Sequence, residues 1–176
     1  MLEPWRASCS AAEDTSVDRD AGQQAQAYFE AAYAAQMRGS LDEAIALYEK
    51  SLACVPTAEA HTYLGWTLSL KGDYAGAIQA CHHAIEVDPA FGNPYNDIGS
   101  YLIALGRHVE AVPWLRKAMV AERYEARHYP HVNLARVYVK LGHLDGAIAQ
   151  LRVALAIAPQ YRPARAELHR LLAILN

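Results

Sequence analysis

Histidines are the residues in this sequence most suited to metal chemistry, and their spacing argues against a metal site. His82 and His83 are adjacent, so on a helix their side chains point about 100° apart and do not easily share an ion. His128 and His131 lie three residues apart and could share one, but no third ligand lies nearby in the sequence. We therefore expect no metal and no cofactor.

Groups that could carry a reaction are also missing from the sequence pattern. No nucleophile has a plausible base, no Gly-rich phosphate loop follows a strand, and no paired carboxylates fall in a predicted cleft. Cys9, Cys54 and Cys81 match no zinc spacing, and an odd number of thiols cannot all pair within one chain. We expect reduced thiols, a cytoplasmic protein and no enzymatic activity. A metal-dependent activity on the histidines is the alternative, which metal analysis would test.

Composition and hydropathy limit the class of protein. The chain has 176 residues, enough for one domain or one short repeat array. Alanine supplies much of its 53% hydrophobic content, which indicates closely approaching helices. The mean hydropathy of -0.07 and the lack of a long apolar run predict no membrane insertion. The first 20 residues lack the apolar segment of a secretory signal. The Ala- and Arg-rich composition suggests a bacterial source.

The charge is distributed unevenly along the chain. The net charge of -3 argues against a nucleic-acid partner. Residues 1–88 hold 5 basic and 13 acidic side chains, whereas residues 89–176 hold 11 basic and 6 acidic ones. The two halves therefore carry net charges of opposite sign.

Glycines recur along the chain at a nearly constant spacing. Four of them, separated by 33, 34 and 36 residues, are Gly39, Gly72, Gly106 and Gly142. An alanine follows each glycine five residues later, at Ala44, Ala77, Ala111 and Ala147. Three of the units close with a proline, at Pro56, Pro89 and Pro159. A period near 34 residues in four copies indicates a structural repeat.

This pattern resembles the tetratricopeptide repeat (TPR) family, in which each repeat forms two antiparallel helices. The resemblance implies an all-α, right-handed α-solenoid of four TPR helix-turn-helix units plus a C-terminal capping helix. The repeat region is residues 23–161, and the expected segments are 25–57, 58–91, 92–127, 128–161 and the capping helix 162–176. Residues 1–22 are polar and lack an apolar period, so we expect them to be disordered.

Several residues at repeat positions have a structural interpretation. Gly65 and Gly99 lie 34 residues apart inside predicted helices, where glycine costs about 1 kcal/mol relative to alanine. We interpret both as points where the two helices of one repeat approach too closely for a larger side chain. His61 and His131 fall at repeat position 4, which is normally occupied by a packing aromatic residue. We therefore expect both histidines to pack between helices.

The third unit departs from the family pattern in two ways. Arg123 stands where the pattern has proline, and the stretch "AERYEARHYP" adds two residues before the fourth unit. We expect this insert to change the superhelical step between the last two repeats.

The resemblance also implies a binding surface, the concave face lined by the first helix of each pair. The ligand-facing positions give an aromatic end and a polar end, made of Phe29, Tyr33, Tyr63, Trp66, Asn96, Asn133, Arg136 and Lys140. Asn133 occupies a position where family members often hold a peptide backbone. Arg136 and Lys140 are four residues apart on one helix face and could pair with a carboxylate.

The groove does not match the family members that grip the C-terminal carboxylate of a chaperone. Phe29 and Tyr33 stand where those proteins have a lysine and an asparagine, and only Arg136 has the matching character. We therefore do not expect a chaperone tail as the ligand.

The resemblance implies a protein–protein interaction scaffold or adaptor that binds a peptide or helix of another protein in the concave groove. One alternative is a secretion-type or client-specific chaperone that shields an apolar segment, which the aromatic half favours. A second is a homo-oligomer that assembles head to tail through its oppositely charged halves. Such assembly would weaken sharply with salt.

Overall fold

The computed structural model describes the backbone of residues 10–175 and the side chains of residues 19–174. Over this span the chain forms α1 (Ser10–Met37), α2 (Leu41–Cys54), α3 (Ala58–Leu70), α4 (Tyr74–Val87), α5 (Asn93–Ala104), α6 (His108–Val120), α7 (His128–Lys140), α8 (Leu144–Ile157) and α9 (Arg162–Leu175). Within it, the only isolated β-type pairing is a parallel bridge between Phe91 and Arg123. The all-α prediction is confirmed.

The first eight helices pack as four antiparallel pairs, α1–α2, α3–α4, α5–α6 and α7–α8, and each pair packs on the next. The first helices α1, α3, α5 and α7 also contact one another in succession and form a continuous layer. We call the surface of this layer the first-helix face. The last helix, α9, packs against α8 and covers the end of the stack. This arrangement is the predicted solenoid with its capping helix.

Glycine allows the tight turn between the two helices of each pair. The four repeat glycines have φ angles between 75° and 83°, in the left-handed region that glycine adopts without steric cost. The chain then bonds back across the helix end: the Asp73 N–H donates to the Leu68 carbonyl at 3.1 Å, and the Arg107 N–H donates to the Leu102 carbonyl at 2.8 Å. These bonds satisfy carbonyls that the helix leaves free at its C-terminus.

Gly65 and Gly99 lie where the two helices of a pair meet most closely. A Cβ on Gly65 would lie 2.9 Å from the Ala77 carbonyl oxygen of α4. A Cβ on Gly99 would lie 2.5 Å from Cδ2 of Leu115 in α6. The interpretation of both glycines as contact points within a repeat is confirmed. The alanine that follows each turn is fully buried in the same seam, for example Ala77.

Residues 10–22, for which we expected disorder, form the first part of α1. Packing of the later part of α1 on α2 nucleates this helix, and extending a nucleated helix costs little. Residues 10–21 contain neither glycine nor proline to stop that extension. The rest of the predicted disordered segment, residues 1–9, lies outside the described residues.

Arg123 replaces proline because its backbone N–H has a partner. That N–H donates to the Ala90 carbonyl at 3.0 Å, a bond that proline cannot make. The guanidinium donates to Asp88 at 2.9 Å and to Glu59 at 2.7 Å, and it lies 4.4 Å from the centre of the Phe91 ring. Arg123 thus ties the loop between α6 and α7 to the loop between α4 and α5.

Candidate functional site

The eight predicted binding residues all lie on first helices. Phe29 and Tyr33 are on α1, Tyr63 and Trp66 on α3, Asn96 on α5, and Asn133, Arg136 and Lys140 on α7. Within each helix they are three or four positions apart, so they share one side of it. They form an aromatic group on α1 and α3 and a polar group on α5 and α7.

The aromatic group is centred on Tyr63. Its ring centroid lies 5.2 Å from that of Phe29, 5.7 Å from Tyr33 and 5.8 Å from Trp66, all in edge-to-face orientations. Phe29 and Tyr63 are partly buried and pack against the buried core around Tyr48. Tyr33 and Trp66 are 42% and 39% exposed, so they are the members that offer most surface to a ligand.

Two further apolar side chains extend this exposed surface. Met37 and Leu70 lie four residues after Tyr33 and Trp66, one helical turn along, and are 51% and 52% exposed. We call Tyr33, Met37, Trp66 and Leu70 the apolar strip. Met37 and Leu70 occupy the same ligand-facing repeat position as Lys140 but were not among the eight candidate binding residues.

The polar group is a chain of hydrogen bonds that joins α5 to α7. The Asn133 amide donates to Asn96 Oδ1 at 3.0 Å, and Arg136 donates to Asn133 Oδ1 at 3.3 Å. Both asparagines are buried, whereas Arg136 and Lys140 are exposed. The asparagines therefore fix the two helices against each other, and the cations face solvent.

Asp97 on α5 is a further site residue, which was not among the eight candidate binding residues. It lines a cavity of about 400 Å³ together with Tyr63 and Trp66, and a second of about 360 Å³ together with Asn133 and Arg136. Burial raises the pKa of Asp97 to about 7, and a hydrogen bond from the Asn96 amide, at 3.3 Å, opposes only part of that shift. Asp97 follows Tyr63 by 34 residues and so occupies the same repeat position, which is the sequence signal that points to it.

The second cavity also receives tyrosines that were not among the eight candidate binding residues. Tyr124 comes from the insert between α6 and α7, Tyr129 from α7, and Tyr161 from the segment before α9. The Tyr129 and Tyr161 rings lie 5.5 Å apart in an edge-to-face orientation. Tyr124 is buried, and burial raises the pKa of its hydroxyl. The folded insert brings the Tyr124 ring beside α5.

His61 and His131 pack against the second helix of their own pair. The His61 ring lies 5.5 Å from that of His83 on α4, and His131 Nδ1 lies 2.7 Å from Gln150 Oε1 on α8. Burial and the neighbouring His83 lower the pKa of His61. Among the described residues, no three His, Cys, Asp or Glu side chains are grouped as metal ligands. Burial also raises the pKa of the Cys81 thiol, which disfavours its reactive thiolate.

Hydropathy along the helices gives one further result. In the part of the chain that the structure describes, no helix combines the length and the apolar character that crossing a bilayer requires.

Several solved structures of other proteins share this fold at low sequence identity. PilF of Pseudomonas aeruginosa has a TM-score of 0.81 at 21% identity, covering 88% of this chain and 70% of PilF. PilW, a type IV pilus biogenesis factor, has a TM-score of 0.78 at 22% identity, and the match covers 85% of this chain and 69% of PilW. MamA from Desulfovibrio magneticus RS-1 has a TM-score of 0.70 at 20% identity, and the match covers 85% of this chain and 84% of MamA. Identities this low show a common fold.

Sequence comparison points to the same class. Family models described as tetratricopeptide repeats match residues 10–59, 58–91 and 130–161. The third helix pair lies between these ranges, and the first range includes residues 10–22, which the structure also shows as helical. No curated protein sequence matches the chain. On its matched repeats and its stacked helix pairs, the chain belongs to the tetratricopeptide repeat family.

Proposed function

We propose that the chain is an adaptor that holds a peptide or helical segment of another protein on the first-helix face. Proteins of this family typically act as non-catalytic interaction scaffolds, and the extended inner surface of the solenoid suits binding. The observation that carries the proposal is the apolar strip, whose four large side chains are 39–52% exposed on two adjacent helices. Contiguous exposed apolar surface of this kind marks a site that a partner covers.

The polar group supports an extended ligand that continues from α3 towards α7. Arg136 and Lys140 lie one turn apart and exposed on α7, where they can pair with an acidic group of the bound segment. The bond between Asn96 and Asn133 holds α5 and α7 in register beneath it. A segment lying across all four first helices would meet apolar side chains first and cations last.

Affinity capture from a lysate of the source organism, read by mass spectrometry, tests this proposal. The groove variant is Tyr33→Ala with Trp66→Ala, which removes the two exposed aromatic side chains of the strip. The matched control is Val109→Ala with Val120→Ala on α6, because these side chains are also apolar and are 69% and 78% exposed. Circular dichroism establishes that each variant remains helical.

We expect a partner that the wild type and the α6 control both capture and that the groove variant loses. Equal capture by all three proteins would contradict the proposal and move the binding surface away from the first-helix face. Loss with the α6 control alone would assign binding to the second helices.

A client-specific chaperone is a second candidate, and the apolar strip favours it because the strip could shield an apolar segment. The two functions differ in what they do to the partner. A chaperone lowers light scattering when the captured partner is diluted from denaturant, and the groove variant abolishes that effect. An adaptor leaves the scattering unchanged.

Self-assembly rests on the opposite charges of the two halves of the chain. Head-to-tail contacts between them would give a mass that grows at low ionic strength and returns to that of one chain at high salt. Static light scattering at both salt concentrations tests this. A mass of 19.4 kDa at low salt would exclude it.

A further inference from the structure

We propose that the cavity beside Asp97 binds a lysine or arginine side chain of the partner segment. This inference rests on the proposed function, since it assigns one residue type to the ligand of the same face. The cavity of about 400 Å³ lies between α3 and α5, and its walls include Tyr63, Trp66, Ser69, Asp97 and Ser100. We call it the Asp97 pocket.

The charge of Asp97 is unmatched by its surroundings. The titratable groups that face it are Tyr63 from α3, Cys81 from α4, Tyr101 from α5 itself and Tyr124 from the insert. Burial raises the pKa of all four of these groups, so each of them is neutral at pH 7. The carboxylate therefore lacks a cationic partner among these neighbours, and a ligand can supply one.

Arg136 does not fill this role. It lines the second cavity together with Asp97 and donates to Asn133 there, but it is not among the groups that shift the pKa of Asp97. Its guanidinium is thus engaged on the α7 side of the face. Among the described residues no cation shifts the pKa of Asp97, so a ligand can supply the positive charge that would neutralise it.

The chemistry of the walls suits a cationic side chain with an aliphatic stem. Trp66 and Tyr63 present aromatic rings, which attract an ammonium or guanidinium through their π faces and also cover its methylene groups. Asp97 supplies the opposite charge, and Ser69 and Ser100 supply hydroxyl groups that can accept hydrogen bonds. An acidic or purely apolar side chain would leave the carboxylate desolvated and unpaired.

Trp66 also belongs to the apolar strip, so the pocket and the strip are continuous. A bound segment that places a large apolar residue on the strip can place a neighbouring side chain in the pocket. We therefore expect a ligand motif with a basic residue one to four positions from an apolar residue.

The ionisation of Asp97 links this binding to pH. Its pKa of about 7 in the free protein means that a bound cation must first displace a proton at pH 6 but not at pH 8. For a ligand that binds the ionised form alone, affinity rises about tenfold over this interval. With a neutral residue in place of Asp97, this dependence disappears.

Selection from a phage-displayed library of random 12-residue peptides tests the inference. The wild type is compared with Asp97→Asn, which keeps the shape of the side chain and an oxygen that can accept from Asn96. A second variant, Trp66→Ala with Tyr33→Ala, removes the proposed groove. Peptides that contain no histidine, aspartate or glutamate are synthesised, and their affinities are measured by calorimetry at pH 6 and pH 8.

We expect wild-type peptides to share a lysine or arginine, and Asp97→Asn to weaken them by about tenfold or more, as loss of a charge-assisted contact implies. Replacing that lysine or arginine of the peptide by norleucine should lower its affinity for the wild type by the same factor. The affinity for Asp97→Asn should stay unchanged. Groove-dependent peptides without a basic residue would overturn the inference and leave the proposed function standing. If no selected peptide depended on the groove residues, both would fail.

Discussion

At the scale of single residues, Gly65 and Gly99 set how closely paired helices approach. We predict that Gly65→Ala and Gly99→Ala each destabilise the protein by about 1–3 kcal/mol, because the new Cβ overlaps the Ala77 carbonyl or the Leu115 side chain. The backbone carbonyl of Ala77 cannot rotate away, so helix α4 itself has to move. Chemical denaturation measures the change in unfolding free energy.

Gly22 provides the control for this prediction. It lies inside α1, and a Cβ there would meet nothing within 4 Å. Gly22→Ala should therefore raise stability by up to about 1 kcal/mol, the difference in helix propensity. If all three substitutions stabilised the protein, the close seam would not be the reason for the glycines.

Asp97 gives a second residue-scale prediction, on stability as a function of pH. Its pKa rises from the ordinary aspartate value of 3.8 to about 7 on folding, so between these values the folded chain holds a proton that the unfolded chain releases. Stability therefore falls as the pH rises from 4 to 7. Asp97→Asn removes this loss and should be about 1–2 kcal/mol more stable than the wild type at pH 8, with no difference at pH 4.

Glu110, whose pKa is lowered where that of Asp97 is raised, serves as the control in thermal unfolding at pH 4 and pH 8. The bidentate bond to Arg107 lowers the pKa of Glu110, so Glu110→Gln should lower Tm at pH 8. An Asp97→Asn variant that also unfolds at lower temperature at pH 8 would contradict the desolvation of Asp97. A stabilising substitution at a proposed binding residue is expected where function has a cost in stability.

At the scale of elements, the insert between α6 and α7 is held in place by Arg127. Its guanidinium donates to the carbonyls of Met119, Ala121 and Glu122 at 2.9, 2.7 and 3.2 Å, which satisfies oxygens at the C-terminus of α6. We predict that Arg127→Ala destabilises the protein by about 1–3 kcal/mol in urea denaturation, because a charged donor is lost.

Two variants distinguish the hydrogen bonds that Arg127 donates from a general effect of its positive charge. Arg127→Lys should restore little, since an ammonium lacks the planar fork that reaches several carbonyls at once. Arg116→Ala, on the exposed side of α6, should leave stability nearly unchanged. Full rescue by lysine would show that charge near the helix end, and not the hydrogen-bond geometry, is what matters.

At the scale of the whole molecule, each helix pair depends on its neighbours for stability. Leu171 of α9 is fully buried in the cluster that it shares with α7 and α8. We predict that Leu171→Ala costs about 2–5 kcal/mol in this part of the stack. Because stability in a solenoid is transmitted between adjacent repeats, amide hydrogen exchange should accelerate in α7–α9 and remain nearly unchanged in α1–α4.

Ile174→Ala on the same helix is the control, since this side chain is 58% exposed. It should leave the exchange pattern as it is in the wild type. Uniform acceleration along the chain with Leu171→Ala would mean that the solenoid unfolds as a single cooperative unit.

The family and the all-α solenoid could be predicted from sequence because they depend on local spacing. The turn glycines, the alanines five residues later and the seam glycines recur near 34 residues, and each acts within its own helix pair. The limit of local reasoning appears at residues 10–22, whose polar composition indicated disorder although the packed part of α1 makes the helix easy to extend.

Repeat positions also placed all eight candidate binding residues on the first helices, but they did not determine what each side chain contacts. Three features join residues from different repeats or from the insert: the hydrogen bond between Asn96 and Asn133, the partial burial of Asp97, and the position of Tyr124 beside α5. Such contacts depend on the step between successive helix pairs. The sequence by itself determined the repeat and its turns, because these are local; only the tertiary structure decided the exposed strip and the environment of Asp97, because these arise where separate repeats meet.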